Sequence, residues 1–273
     1  MSPSRLRSIR AVVAKDLRVA RSSKAVTLPL IIVPLVFVVV LPIGLALLAR
    51  LTPAQGTEDL MRQLESFSPT LLESLAGLED AQKFVVLALV YMMAPLFLVL
   101  PTMVASVLAA DSFAGEKERK TIEALVYSPI ADRDLLLAKM LSGWLPAVGI
   151  GLVAFVVYSL TANLAAWPVM GRVFLPTWMW LVLVLWVMPA AAAVSLGATV
   201  LVSLKVATFQ EAYQIGGVVV LPIVALTIGQ ATGVMYLSVW LTFALGLVLW
   251  AVAGLLLYLG GKRMARTEIL AQV

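Results

Sequence analysis

The sequence predicts an all-helical integral membrane protein with six transmembrane helices, and both its composition and its uncharged runs indicate this class. Of its 273 residues, 62% are hydrophobic and only 13% are charged, and the mean hydropathy is positive. Ordinary soluble domains contain about a quarter charged residues. The polar stretches between the apolar runs are too short to form a soluble core of their own.

Long uncharged runs indicate where the chain crosses the membrane. A helix rises about 1.5 Å per residue, so roughly 20 apolar residues cross the hydrocarbon core. The last run, residues 212–261, is long enough for two crossings, with a break predicted near Gly229–Gly233. The predicted spans are residues 25–49, 85–110, 140–162, 174–203, 212–230 and 236–261.

The basic residues indicate how the spans are oriented. With six spans both termini lie on one side, which receives sixteen of the Lys and Arg side chains, whereas the other side receives four. Cytoplasmic segments carry this excess, so both termini are predicted in the cytoplasm. The net charge of +5 reflects this topology, and no nucleic-acid partner is indicated.

Residues 1–24 are predicted to form an amphipathic interfacial helix on the lipid membrane. Its apolar side chains recur at helical spacing and its basic ones can face phosphate headgroups. The apolar set is Leu6, Ile9, Val13, Leu17 and Ala20, and the basic set is Arg7, Arg10, Lys15, Arg18 and Arg21. The alternative is a basic flank that only sets the topology. No cleavable secretory signal is predicted, because the first apolar run is long enough to span.

The segment 50–84 is predicted to be extracytoplasmic and to contain short helices. Its apolar residues repeat every three or four positions, as Leu60, Leu64, Phe67, Leu71, Leu75 and Leu78. This face is expected to pack on the spans, and substrate binding is the alternative. Five of the six spans also contain proline, which kinks a helix. A hinge role is an alternative for Pro95, Pro101 and Pro222.

A charged island, residues 111–139, separates the second and third spans. Its helical spacing and nearly balanced charge predict a cytoplasmic coupling helix that docks on a partner protein. The residues assigned to docking are Glu116, Glu118, Arg119, Thr121, Ile122, Glu123, Leu125 and Val126. The alternative is a self-neutralised helix. Glu116 is spaced to pair with Lys120, and Arg119 is spaced to pair with Glu123.

The island resembles the coupling segment of ATP-binding cassette type-2 permeases, where a run like Glu-x-Glu-Arg-Gly-Thr-Leu-Glu-x-Leu follows the second span. The matching residues are Glu116, Glu118, Arg119, Thr121, Glu123 and Leu125, with Ile122 in place of leucine. Lys120 stands where the family usually has glycine, which permits backbone conformations that lysine resists. The resemblance implies a multi-pass permease subunit of an exporter in a bacterial cytoplasmic (inner) membrane. It also implies a separate ATPase subunit and a second permease copy or a related permease.

Several chemistries are excluded by what the sequence lacks. The chain contains no histidine and no cysteine, so imidazole acid–base catalysis, thiol nucleophiles and ordinary zinc sites are not available. No Gly-x-x-x-x-Gly-Lys-Ser/Thr run is present to bind phosphates. We therefore predict no catalytic, cofactor-binding or metal-binding residue in this chain, and ATP and Mg are expected on the partner subunit.

A few polar residues within the spans are candidates for a substrate path, because such groups need partners or water inside a bilayer. They are Tyr91, Thr102, Ser106, Gln210, Glu211, Tyr213 and Gln214. Pairing of Glu211 with Lys205 at the inner surface is the alternative for that carboxylate. An ion-coupled carrier or a membrane-complex scaffold remains the other functional class, although carriers usually place charges inside the bilayer. A path this poor in charge favours an amphipathic cargo.

Overall fold

The computed structural model describes residues 7, 10–16, 18, 24–51, 75–120, 132–232 and 235–263. Within these ranges the chain forms helices joined by short turns and no strand. Six of the helices are long and apolar enough to cross a membrane. The predicted fold class is therefore confirmed. The helices predicted within residues 50–84 fall mostly outside the described residues.

The six helices are called spans one to six. Span one comprises Lys24–Leu35, Val36–Val40 and Leu41–Leu51, and span two comprises Asp80–Val85, Val86–Met92, Met93–Phe97 and Val99–Glu118. Span three is Asp132–Met170, and span four comprises Trp178–Val182, Leu183–Val187 and Met188–Ser203. Span five comprises Phe209–Gly216, Gly217–Val219 and Val220–Ala231, and span six is Val239–Arg263.

The helices of spans two and three are longer than the apolar runs from which they were predicted. Span two begins at Asp80, where the Gln82 side chain accepts a hydrogen bond from the Glu79 N–H, and it ends at Glu118. Span three begins at Asp132. Much of the predicted island 111–139 thus belongs to these two helices. Backbone hydrogen bonding continues beyond the hydrocarbon core, whereas hydropathy reports only the core itself.

Wide, π-type turns precede a proline in three spans. The segments Val36–Val40, Val86–Met92 and Leu183–Val187 each include the residue four positions before a proline, respectively Pro42, Pro95 and Pro189. A proline ring clashes with the carbonyl four residues earlier in an α-helix. A wider turn moves that carbonyl aside, so the prolines change the helical winding one turn before their own position.

The aromatic core lies between spans two, three and four. The fully buried rings of Tyr158 and Trp180 stack with their centroids 5.0 Å apart. The Tyr158 hydroxyl donates to the Leu89 carbonyl at 2.6 Å, and the Trp180 indole N–H donates to the Val90 carbonyl at 2.9 Å. Pro95 follows Val90 by five residues and has no N–H. The indole therefore satisfies a carbonyl that the π-type turn cannot.

Candidate functional site

Span two ends within the charged island, at what we call the charged end of the bundle. Its helix runs to Glu118, followed by Arg119 and by Lys120, whose φ is +55°. Glu118, Arg119 and Lys120 are exposed. The other predicted docking residues, Thr121, Ile122, Glu123, Leu125 and Val126, lie outside the described residues. Their docking role stays a prediction.

Lys120 occupies the left-handed backbone region that commonly follows a helix and that glycine adopts without strain. Lys120→Gly is expected to stabilise the protein by about 1 kcal/mol, because a side chain there crowds the following carbonyl. An apparent unfolding midpoint measured in detergent, by tryptophan fluorescence, checks this. Lys120→Ala is the control, since it removes the charge and keeps the Cβ. Equal midpoints for the glycine and alanine variants would contradict the prediction.

Glu116 points into the bundle and is shared between two lysines. One carboxylate oxygen lies 2.7 Å from the Lys139 Nζ of span three. The other lies 2.5 Å from the Lys15 Nζ, in the helical residues 10–16 and 18 that are called the N-terminal helix here. The Glu116 and Lys139 side chains are only 5% and 4% exposed, whereas Lys15 is 46% exposed. The partners thus come from distant segments of the chain, so this carboxylate helps to hold the charged end together.

The Lys139 ammonium is the centre of this cluster. Besides Glu116, it donates to the backbone carbonyl and to the hydroxyl of Ser112, at 2.5 and 3.2 Å. Its nitrogen also lies 5.0 Å from the centroid of the Phe113 ring, within the range of a cation–π contact. An ammonium has three donors, and the geometry offers an acceptor for each. Burial of Lys139 is therefore compensated by neighbours on span two.

Asp16 of the N-terminal helix joins the same cluster. Its carboxylate accepts hydrogen bonds from the Ser112 hydroxyl of span two at 3.0 Å and from the Ser142 hydroxyl of span three at 3.1 Å. Charge-assisted hydrogen bonds of this kind are stronger than neutral ones. The N-terminal helix consequently contacts both spans through polar groups.

Arg119 folds back along its own helix. Its guanidinium donates to the Asp111 carboxylate at 2.9 Å and to the Asp111 backbone carbonyl at 3.2 Å. Gly115 leaves room for this arrangement, because a Cβ there would lie 3.2 Å from both terminal guanidinium nitrogens. The alternative partner Glu123 lies outside the described residues.

Lys117 and Glu118 attach the end of span two to the turn between spans four and five. The Lys117 ammonium donates to the carbonyls of Ser203 and Leu204, each at 3.1 Å, which are among the last carbonyls of span four. Glu118 accepts from the backbone N–H of Phe209 at 2.9 Å, at the start of span five. A cation at a helix C-terminus and an anion at an N-terminus both match the helix dipole.

The predicted path residues fall into three separate places. Gln210, Glu211 and Gln214 are exposed at the start of span five, and the ring of Tyr213 stacks on that of Phe209. Glu211 accepts from the Ala207 N–H at 3.4 Å, so it contributes to the helix start. Tyr213 and Phe209 pack on apolar residues of span two, among them Val104 and Ala110, whereas the amides of Gln210 and Gln214 are exposed.

Thr102 and Ser106 are buried between spans two and four. The Ser106 and Ser195 hydroxyls are 2.6 Å apart, Ser195 donates to the Thr102 carbonyl at 2.7 Å, and Thr199 donates to Ser106 at 3.2 Å. Such contacts between hydroxyl groups join transmembrane helices. These two residues therefore pack span two on span four in this structure.

Tyr91 lies nearer the opposite end of span two. Its hydroxyl is 3.0 Å from the Tyr236 hydroxyl, in the segment just before span six. The two rings are tilted, with centroids 5.1 Å apart. This contact ties span two to the connection between spans five and six.

Sequence reasoning did not find the roles of Lys15, Asp16, Ser112, Lys139 and Ser142. Lys15 was expected to face headgroups, but its ammonium contacts Glu116. The one local signal for such a role was the adjacent opposite charges of Lys15 and Asp16 on an otherwise basic helix. No local sequence pattern indicates which buried residue each of these side chains contacts.

A family model described as ABC-2 family transporter protein matches residues 10–258, which extends from the N-terminal helix almost to the end of span six. No curated protein matched the chain. The family forms the membrane component of ATP-binding cassette transporters and is not itself catalytic. This match confirms the resemblance carried by the charged island, and the chain belongs to the ABC-2 transporter family as a multi-pass membrane permease.

Proposed function

We propose that this chain is the permease subunit of an exporter that is driven by ATP hydrolysis on a separate ATPase subunit. It works with a second permease copy or a related permease, and the pair encloses the substrate path. The ATPase subunits bind the cytoplasmic side of the charged end. Their movement shifts the spans between an inward-open and an outward-open packing by contacting the two packings differently.

The observation that carries this proposal is the last turn of span two. Its exposed residues Glu118, Arg119 and Lys120 lead directly into the predicted docking segment. Within the same turn, Glu116 contacts span three, Lys117 contacts span four and Glu118 contacts span five. A displacement of this turn by a bound subunit would therefore reach three other spans.

The exposed polar residues of span five support a path shared between two permeases. Gln210 and Gln214 are exposed on the single chain, at the start of span five and beside the exposed Glu211. Exposed amides are unfavourable against lipid, so a second subunit or a hydrated path is the better environment. Gln214→Leu should reduce substrate-stimulated ATP hydrolysis. An unchanged response would place the path elsewhere.

The orientation is tested with single cysteines in this cysteine-free chain. Arg172 and Lys205 are exposed and flank span four on opposite sides. Arg172→Cys should react with an impermeant maleimide in intact cells, whereas Lys205→Cys should react only after permeabilisation, because the excess of basic residues belongs in the cytoplasm. The reverse pattern would contradict the proposed orientation.

The proposed function is tested by purifying the tagged chain from its own membrane and reconstituting it in vesicles. An ATPase subunit should co-purify, and export should require ATP and continue when ionophores collapse the ion gradients. Recovery of no ATPase, together with transport that ionophores abolish, would instead indicate an ion-coupled carrier. A complex without transport activity, whose loss disrupts a neighbouring assembly, would indicate a scaffold.

A further inference from the structure

The N-terminal helix presents different faces to the bundle and to its surroundings. Val12 and Asp16 are four residues apart and therefore lie on one face of the helix. Val12 is 7% exposed and packs with Leu135 and Ala138 of span three. Arg10 and Arg18 are exposed. The face that carries Val12 and Asp16 is thus the docked one.

Polar contacts of the docked helix reach two spans at once. Asp16 accepts from Ser112 of span two and from Ser142 of span three. Lys15 contacts Glu116 of span two. The apolar contact at Val12 adds to the attachment on span three. The helix therefore bridges the neighbouring ends of spans two and three.

Lys15 and Asp16 are dispensable for compensating buried charge. If Lys15 is removed, Glu116 keeps the ammonium of Lys139 at 2.7 Å. If Asp16 is removed, the Ser142 hydroxyl can donate to the Lys139 carbonyl at 2.8 Å instead, and the Ser112 hydroxyl keeps its contact with the Lys139 ammonium at 3.2 Å. Neither change leaves a buried ion without a counter-ion, which is the costly case. These contacts can therefore be removed with the fold retained.

We infer that Lys15 and Asp16 are positioning residues, which fasten the N-terminal helix to spans two and three so that the three helices move as one body during transport. The inference rests on the proposed function, because the movement it describes is the one that ATP hydrolysis drives. Lys139 and Glu116 hold the two spans together. Lys15 and Asp16 add the third helix to that unit.

The first test uses the double variant Lys15→Met/Asp16→Ala in the reconstituted complex with its ATPase. Export per ATP hydrolysed is expected to fall on the order of tenfold, because the variant loses the ion pair of Lys15 and both hydrogen bonds of Asp16, whose net contribution after hydration is modest. The matched control is Arg10→Met/Arg18→Met, which alters two charges of the same helix that are exposed. Normal export by the double variant, or an equal loss in the control, would overturn the inference.

The second test restores the attachment covalently. Val12→Cys with Leu135→Cys, in this cysteine-free chain, should form a reducible cross-link between the helix and span three. In the Lys15→Met/Asp16→Ala background the cross-link should recover export, and reduction should abolish the recovery. A cross-link that forms without recovery, or that stops export by the otherwise unchanged chain, would show that the helix does not move with the spans.

A third measurement separates this inference from the proposed function. In the permease purified alone, Lys15→Met/Asp16→Ala should lower the rate of Val12–Leu135 cross-linking by several-fold, because the helix spends less time docked. This readout requires neither ATP nor a substrate, so it stands if no ATPase subunit is found. An unchanged cross-linking rate would overturn the fastening role of Lys15 and Asp16 in either case.

Discussion

Lys139→Met is expected to destabilise the protein by about 1.5–3 kcal/mol, because it removes the buried one of the two ammonium groups that contact the Glu116 carboxylate. Glu116 is 5% exposed and Lys139 is 4% exposed, so solvent cannot replace the lost contact. Lys15 still contacts Glu116, but it is 46% exposed and only partly compensates. The apparent unfolding midpoint and the monodisperse yield in detergent measure the loss.

Two controls for Lys139→Met distinguish the effect of losing a buried charge from the effect of losing any charge. Lys205→Met removes an exposed lysine of the same end and should leave the midpoint nearly unchanged. Lys139→Met/Glu116→Leu removes both buried ions and should recover most of the stability, as for other buried pairs replaced by apolar groups. A Lys139→Met variant as stable as the parent would refute the assigned role of the pair.

Gly246→Ala is expected to destabilise the packing of span six on span four by about 1–3 kcal/mol. A Cβ at Gly246 would lie 2.2 Å from the Trp186 ring. That ring stacks on Phe243 at 5.5 Å, contacts Trp250 at 6.0 Å and donates from its indole N–H to the Phe243 carbonyl at 3.2 Å. The indole is rigid, so it must leave the stack to admit the methyl group.

Gly254→Ala is the matched control for Gly246→Ala. Gly254 lies on the same helix, and nothing lies within 4 Å of the Cβ that alanine would add. Its effect should be neutral or slightly stabilising, because alanine favours a helix over glycine. Unfolding midpoints in detergent compare the two variants. Equal midpoints would show that Trp186 relaxes without cost and that Gly246 is not needed for this contact.

The number and type of the helices could be predicted because they depend on local properties of the chain. A run of apolar residues such as 85–110 must satisfy its own backbone groups in a bilayer, and a helix does so. The wide turns were not predicted, although Pro42, Pro95 and Pro189 indicated where helical winding would change. The helix ends were predicted less well, because hydropathy indicates which residues lie in the hydrocarbon core and does not indicate how far a helix continues beyond it.

The arrangement of the candidate site could be predicted only in part. Local patterns predicted that Glu116, Glu118 and Arg119 belong to one helical charged segment, and the structure has Glu116 and Glu118 in the last turn of span two and Arg119 just after it. The sequence did not indicate whether each of these side chains points into the bundle or away from it. Glu116 turns inward to Lys139, whereas Ser106, considered for a path, packs against Ser195.

The membrane class, the six membrane-length helices and the permease family of this protein can be recognised from the amino-acid sequence. They depend on hydropathy, on the need of backbone N–H and C=O groups for hydrogen bonds in a bilayer, and on a local charged motif. None of these requires knowledge of distant residues. Which charges form ion pairs depends on how the helices pack. Lys15 and Glu116 are 101 positions apart and Glu116 and Lys139 are 23 apart. Ion pairs between different helices form only after the helices pack, because helix periodicity relates only residues within one helix.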